Sequence, residues 1–479
     1  MTIALKQAEL RKVDIATRMP FRYGIATVTA EPCLLVFANF EVDGEQFRGV
    51  AADVLPPKWF TKKPEASIEA EIEEMLMVIR TACGSALEMG EQENVFRWWQ
   101  QLYQIQISDR GLARLPPLLK SFGVSLLERA AIDATCRRQT TTFHRAVQEN
   151  LLGIRLEDLH AELAGCNPAM ILPKKPRPTI GIRHTVGLSD PLRDSEIAED
   201  ERLNDGLPQS LEACIRRYGI TYFKIKLPAS IDEARTRLHQ FADLVGQSDQ
   251  SCQFTLDGNE FYTDPNEFRN FWEEVTGDRR LKKFLQEGLL VIEQPLHRDV
   301  ALSEDAMRAF KAWPDRPPII IDESDGEISS LRQALETGYA GTSHKNCKGV
   351  IKGLSNACLL RYLNNQNTDR PFVCTGEDLM NIGPVALLQD LAVGAVLGLS
   401  HMERNGHHYI AGLQQMPAGI QRDILASHGD LYCQHAAMGI RFPTLAIVAG
   451  EVKLESVNRA PFGYALDLEA DQFELIDSF

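Results

Sequence analysis

Apolar positions along the chain change their spacing twice. Over residues 5–52 they fall in short alternating runs, CLLVFANFEV, DGEQF and RGVAA among them. The Asp43-Gly44 pair between two apolar runs is a strong hairpin signal. Through 65–81 and 124–138 apolar residues recur three and four apart, which predicts two helices. Residues 1–140 therefore read as a small α+β domain. From about residue 178 the pattern becomes apolar β-runs, each followed by a helical segment: TIGIRHTV, YFKIKL, QFTLD, LLVIE, PIIIDE, GTSHK, FVCTG and VLGLS. Strands apolar on both faces that alternate with helices make a parallel sheet covered by helices. Eight such units between residues 178 and 427 match a closed (β/α) barrel, with an open doubly wound sheet as the alternative. The segment 141–177, rich in proline toward its end, reads as the connection between the domains. Residues 428–479 read as loops and short strands returning toward the first domain.

Composition narrows the class without naming a function. At 479 residues the chain is long enough for two domains, and its 44% hydrophobic and 24% charged residues are those of an ordinary globular protein. A net charge of −15 argues against a nucleic-acid or anionic-membrane partner. A small anionic substrate stays compatible, because a cation and a few lysines invert the potential locally. The ten cysteines show no CxxC pair and read as reduced core thiols. The N-terminal residues carry charges where a signal peptide needs an apolar stretch, and the longest apolar region, 387–399, is too short to span a bilayer. A cytoplasmic protein is the expectation.

The chemistry sits where the apolar runs stop. In a parallel barrel the C-terminal strand ends form the catalytic face. Here the runs end in Lys224-Ile225-Lys226, Asp257-Gly258-Asn259, Glu293-Gln294-Pro295, Asp322-Glu323 and His344-Lys345, each about one βα unit from the last. Three carboxylates on adjacent strands, Asp257, Glu293 and Asp322, make an oxygen-rich pocket for a hard cation, Mg2+ first and Mn2+ second. Lys226 and Lys345 flank it, so a carboxylate substrate held there presents its α-carbon to an amine on either side. Lys224, two residues away on the same strand face, is expected to supply like-charge repulsion on Lys226. Any one strand-end acid alone reads as a helix cap or surface ion pair; the ordered series does not. Glu323, His344 and His297 read as caps or supporting hydrogen-bond partners. His401 and the His407-His408 pair lack the companion spacing of a zinc site and read as structural.

These motifs, KIK at 224–226, LDGN at 256–259, VIEQP at 291–295, IIDES at 320–324 and SHK at 343–345, resemble the enolase superfamily in its mandelate-racemase and muconate-lactonizing-enzyme branch. The resemblance covers nearly the whole chain. It implies a (β/α)7β barrel of the TIM type with an N-terminal α+β capping domain, metal at Asp257, Glu293 and Asp322, and acid/base lysines at Lys226 and Lys345. It also implies a homo-oligomer. PFRYG (20–24) and PPKW (56–59) are similar to capping loops that close over substrate, and VSLLERAAIDATCRR to the helix leading into the barrel. Glu377 in CTGEDL and Glu403 in SHMERNG follow strands seven and eight, where relatives place an electrophilic or positioning acid. Asn259 is a substrate-contact candidate. The expected activity is a racemase, epimerase or cycloisomerase acting through an enediolate; an acid-sugar dehydratase and a non-catalytic carboxylate-binding barrel are the alternatives. NCKGVIKG stands where the family has a glycine pair, and no Asp–His dyad is evident.

Overall fold

Strands β1 (Ile3–Tyr23), β2 (Ala26–Val42) and β3 (Glu45–Val54) form an antiparallel meander at the N-terminus. The structure is a computed structural model describing all residues except 248–250 and 367–368. The β2–β3 hairpin turns on Asp43 and Gly44 with φ of 50° and 79°, the left-handed backbone that a two-residue hairpin demands. Helices α1 (Ile68–Glu88), α2 (Val95–Ser108) and α3 (Pro117–Arg138) pack with this sheet. The segment VFRWWQQLYQIQIS of α2 was not anticipated: its aromatic and β-branched residues weaken the helical signal. Its start is nevertheless fixed by Asn94, whose side chain accepts from the Arg97 N–H at 2.8 Å. α3 lies so close to β3 that a Cβ at Gly49 would collide with the Ala130 carbonyl.

The second body is a closed barrel of eight parallel strands: β4 (Thr179–Val186), β5 (Tyr222–Lys226), β6 (Gln253–Asp257), β7 (Leu289–Glu293), β8 (Ile319–Ile321), β9 (Gly341–His344), β10 (Val373–Gly376) and β11 (His401–Arg404). Pairing of β11 with β4, from His401↔Gly181 to Arg404↔His184, closes the ring and excludes the open sheet. Seven strands lie on the expected runs. The eighth does not: the run VLGLS ends a helix, Ala386–Leu397, and the strand is the polar HMER that follows. That helix is buried along its whole length and apolar but for Gln389 and Asp390, and Gly398, at φ 73°, stops it. Burial on every side removes the periodicity that separates such a helix from a strand.

After the barrel come a hairpin, β12 (Tyr432–Ala437) with β13 (Ile440–Leu445), and β14 (Glu451–Lys453), which pairs antiparallel with β4. β15 (Glu474–Ser478) then adds to the free edge of β1. Glu128 of α3 accepts from the backbone N–H groups of Val350 and Ile351 at 3.1 and 2.6 Å, capping the helix Val350–Asn364 from the other body. Among the described residues no helix is long and apolar enough to cross a membrane. All ten cysteines are free; most are buried, but Cys433 is exposed and so is not the core thiol that was expected.

Candidate active site

Alternation along β5 turns Phe223 and Ile225 outward, where Phe223 packs on Phe241, and sends Lys224 and Lys226 into the barrel mouth. Asp257 and Glu293 end the next two strands in register with them, Lys226↔Asp257 and Asp257↔Glu293. Asp322 follows β8, Lys345 follows β9, Glu377 follows β10, and Glu403 lies within β11. All eight side chains are buried.

Lys224 sits at the centre. Its ammonium lies 2.7 Å from Glu293, 2.9 Å from both Glu377 and Glu403, and 3.1 Å from Asp257. Lys226 donates to Asp257 Oδ2 at 2.5 Å. Lys345 donates to both oxygens of Asp322, at 2.7 and 2.8 Å, and to Glu377 Oε2 at 2.6 Å. Glu293, Asp322 and Glu377 each offer an oxygen within 4.8 Å of the other two. Asp257, expected as the third ligand, is outside that trio, with Oδ2 turned to Lys226 and Lys224.

The fold adds partners that the ends of the apolar runs do not mark. Arg183, inside β4, donates to Glu377 Oε1 at 2.7 Å, and Thr185 donates to Glu403 Oε1 at 2.5 Å. Lys348, in the NCKGVIKG turn, donates to Asp322 Oδ1 at 2.6 Å, as does Ser343. Arg183 and Thr185 interrupt an apolar strand, a signal that such residues face a polar interior. Asn259, at φ 46°, lines the cavity beside the acids. Glu323, read as structural, lines it too, whereas His297 caps a helix as expected by accepting from the Asp299 N–H.

Electrostatics follow from this packing. Burial alone would lower the Lys224 and Lys345 pKa values, but the surrounding carboxylates override it and hold both well above the ordinary lysine range. For Lys345 that is opposite to the direction a base requires. Burial, joined by Glu377, raises Glu293 well above the carboxylate range. Burial also acts to raise Asp322 and Glu377, yet the neighbouring lysines win and hold both below it. Glu323 is pushed up to about 8 by burial and by Asp322.

A cavity of about 490 Å³ opens above the cluster. Its floor includes Lys224, Lys226, Asn259, Asp322, Glu323 and Lys345, and its roof Phe21, Tyr23, Glu31, Pro56 and Trp59 from the N-terminal body. The roof thus contains the PFRYG and PPKW segments. The face of the Trp59 ring meets the Lys345 ammonium, 5.3 Å from the ring centroid.

The residues fit a divalent cation. The donor set is all oxygen, it is compact, and Glu293 Oε2 is buried without a hydrogen-bond partner.

Comparison with solved structures defines the class of fold: over almost its whole length the chain has the fold seen in a muconate lactonizing enzyme, a dipeptide epimerase and an N-succinyl Arg/Lys racemase, and in a solved member of the enolase superfamily from Listeria innocua. Muconate lactonizing enzyme from Pseudomonas fluorescens, complexed with muconolactone, matches with a TM-score of 0.61 at 15% identity, covering 98% of each chain. Dipeptide epimerase from Enterococcus faecalis, complexed with Mg and the dipeptide L-Leu-L-Tyr, matches with a TM-score of 0.56 at 13% identity, over 85% of this chain and 92% of that one. N-succinyl Arg/Lys racemase from Bacillus cereus matches with a TM-score of 0.56 at 13% identity, over 95% and 98%. No family model and no curated protein matches the sequence.

Proposed function

We propose that the chain is a divalent-metal-dependent enzyme that removes the α-proton of a small carboxylate substrate and reprotonates the resulting enediolate, as a racemase, epimerase or cycloisomerase does. One observation carries this reading. Lys226 and Lys345 line the same cavity from β5 and the end of β9, which have three strands between them in either direction around the ring. Two amines on opposite walls can reach the two faces of one α-carbon.

Mg2+ suits the donor set best, with Glu293 and Asp322 as ligands and Asp257 or Glu377 completing it. When bound, such an ion supplies positive charge that offsets the charge developing on the substrate carboxylate. The chain's own groups do the rest. Lys226 takes the proton at Nζ on one face, and Lys345 delivers or takes one at Nζ on the other. Lys224, held by four carboxylates, keeps a fixed positive charge beside both. Arg183 and Thr185 orient Glu377 and Glu403, and Phe21, Tyr23 and Trp59 close the cavity against water. The solved relatives above hold a lactone and a dipeptide; this cavity, with an aromatic roof and Glu31 in it, accepts a carboxylate with an apolar or hydrogen-bonding substituent.

The test is α-proton exchange with deuterated water, followed by NMR across N-acyl amino acids, dipeptides and sugar acids in the presence of Mg2+. Exchange without loss of water, abolished by a chelator, is expected for at least one amino-acid derivative. Net dehydration of a sugar acid would replace this reading with a dehydratase. Retention of all activity by both Lys226→Ala and Lys345→Ala would leave only a carboxylate-binding barrel.

A further inference from the structure

A second set of metal-competent side chains lies behind the barrel wall. Arg183 and Thr185 point into the barrel, so the alternation of β4 turns His184 onto the helix layer outside. There it meets Cys214, from the helix Leu211–Tyr218, and His408, from the short helix Gly406–Tyr409 after β11. One ligand-type atom of each lies within 4.8 Å of those of the other two, and none of the three side chains reaches solvent to any extent: their residues are 1%, 0% and 2% exposed. The proposed chemistry uses none of them.

One contact within the group has the spacing of neighbouring ligands. Cys214 Sγ lies 3.4 Å from His408 Nδ1. Bonds of about 2.1 Å to nitrogen and 2.3 Å to sulfur in a tetrahedral zinc site set neighbouring ligand atoms roughly 3.5 Å apart. His407 stands behind His184, with Nε2 at 3.1 Å from His184 Nδ1, which leaves His184 its Nε2. A partner on the far nitrogen, most often a carboxylate, a backbone carbonyl or water, is what orients a ligating imidazole; here a neighbouring ring takes that place. The other nitrogen of His407, Nδ1, is buried with no hydrogen-bond partner.

We propose that His184, Cys214 and His408 hold one zinc ion in a site separate from the acidic cluster. Sulfur and imidazole ligands select a borderline-soft cation over Mg2+. Binding forms a zinc–thiolate bond and releases the Cys214 thiol proton to solvent, one proton per ion. The ion ties three elements together where the cap rests on the barrel. The His408 carbonyl accepts from Arg18 of β1 at 2.6 Å, and the adjacent Tyr409 packs on Phe21, a roof residue of the cavity, at 4.3 Å between ring centroids.

The experiment titrates the full-length chain, stripped of metal by a chelator, with Co2+. One equivalent should give a near-ultraviolet thiolate-to-cobalt band. One equivalent of Zn2+ should bleach it, and excess Mg2+ should not. Glu293→Gln, which alters the barrel mouth, should leave the band intact. Cys214→Ser should lose it entirely, and His408→Gln, which keeps the sulfur, should weaken cobalt binding at least tenfold. Absence of the band from the wild-type chain overturns the proposal whatever the variants do. So does an undiminished band in Cys214→Ser, or unchanged cobalt affinity in His408→Gln; the group would then be a neutral packing cluster.

Discussion

Lys224 shows how much of the site depends on one ammonium group. It is 2% exposed and is the shared donor to Glu293, Glu377 and Glu403. Replacing it by methionine keeps the chain length but leaves buried carboxylates without their common cation. Removing one member of a buried ion cluster costs about 3–5 kcal/mol. Urea unfolding of Lys224→Met in metal-free buffer should show a loss of that size, and Mg2+ should stabilise the variant more than the wild type. An unchanged midpoint would mean that the acids are not held as charged groups. Asp257, Glu293, Asp322, Lys226 and Lys345 stand out in the sequence because each ends an apolar run, whereas Glu403 lies inside the polar strand β11. Arg183, Thr185 and Lys348 do not stand out: they lie inside a strand or a turn, and only closure of the ring brings Arg183 to Glu377, 194 residues away.

At the level of elements, the misplaced eighth strand shows where local pattern fails. The helix Ala386–Leu397 and the strand β11 exchange the apolar and polar character expected of them, because the helix is enclosed on all sides while β11 carries Glu403 inward and Arg404 outward to Asp378. The join between the barrel and the tail offers a pH test. His428 accepts from the Ala465 N–H at Nε2, 3.1 Å, so its Nδ1–H donates to Ser456 Oγ at 2.8 Å, and the ring must be neutral. Burial brings its pKa down to about 4. The folded value is depressed below the unfolded one of about 6.5, so its contribution is complete above pH ~6.5 and is lost as pH falls toward 4. That contribution reaches up to about 3 kcal/mol. Thermal unfolding of His428→Asn should therefore show a flatter pH dependence than the wild type between pH 6.5 and 4. Parallel curves would assign the slope to other groups.

Across the whole molecule, the two bodies meet through buried polar contacts. Arg298, just after β7, donates to the carbonyls of Phe60 and Trp59 at 2.7 and 3.0 Å and to Glu260 at 2.7 and 2.8 Å. It thereby pins the PPKW loop over the cavity. A hydrogen bond from a charged group is worth about 1.5–3 kcal/mol, and each 1.4 kcal/mol is tenfold in binding. Arg298→Ala should raise KM for the exchanging substrate about tenfold or more with a smaller change in kcat; steady-state kinetics decides, and an unchanged KM would free that loop from any part in binding. The barrel and the cap were legible from the change in apolar period. Their seam was not, since it is built from single residues such as Glu128 and Arg298 whose partners lie in the other body.

Two lysines acting from opposite walls on one carbon are the core of the proposed chemistry, and stereospecific exchange tests them most directly. With each enantiomer of a substrate in deuterated water, Lys226→Ala should lose α-proton exchange from one enantiomer and Lys345→Ala from the other, while the wild type exchanges both. Loss of the same enantiomer's exchange in both variants, or wild-type exchange of both enantiomers in either variant, would contradict it.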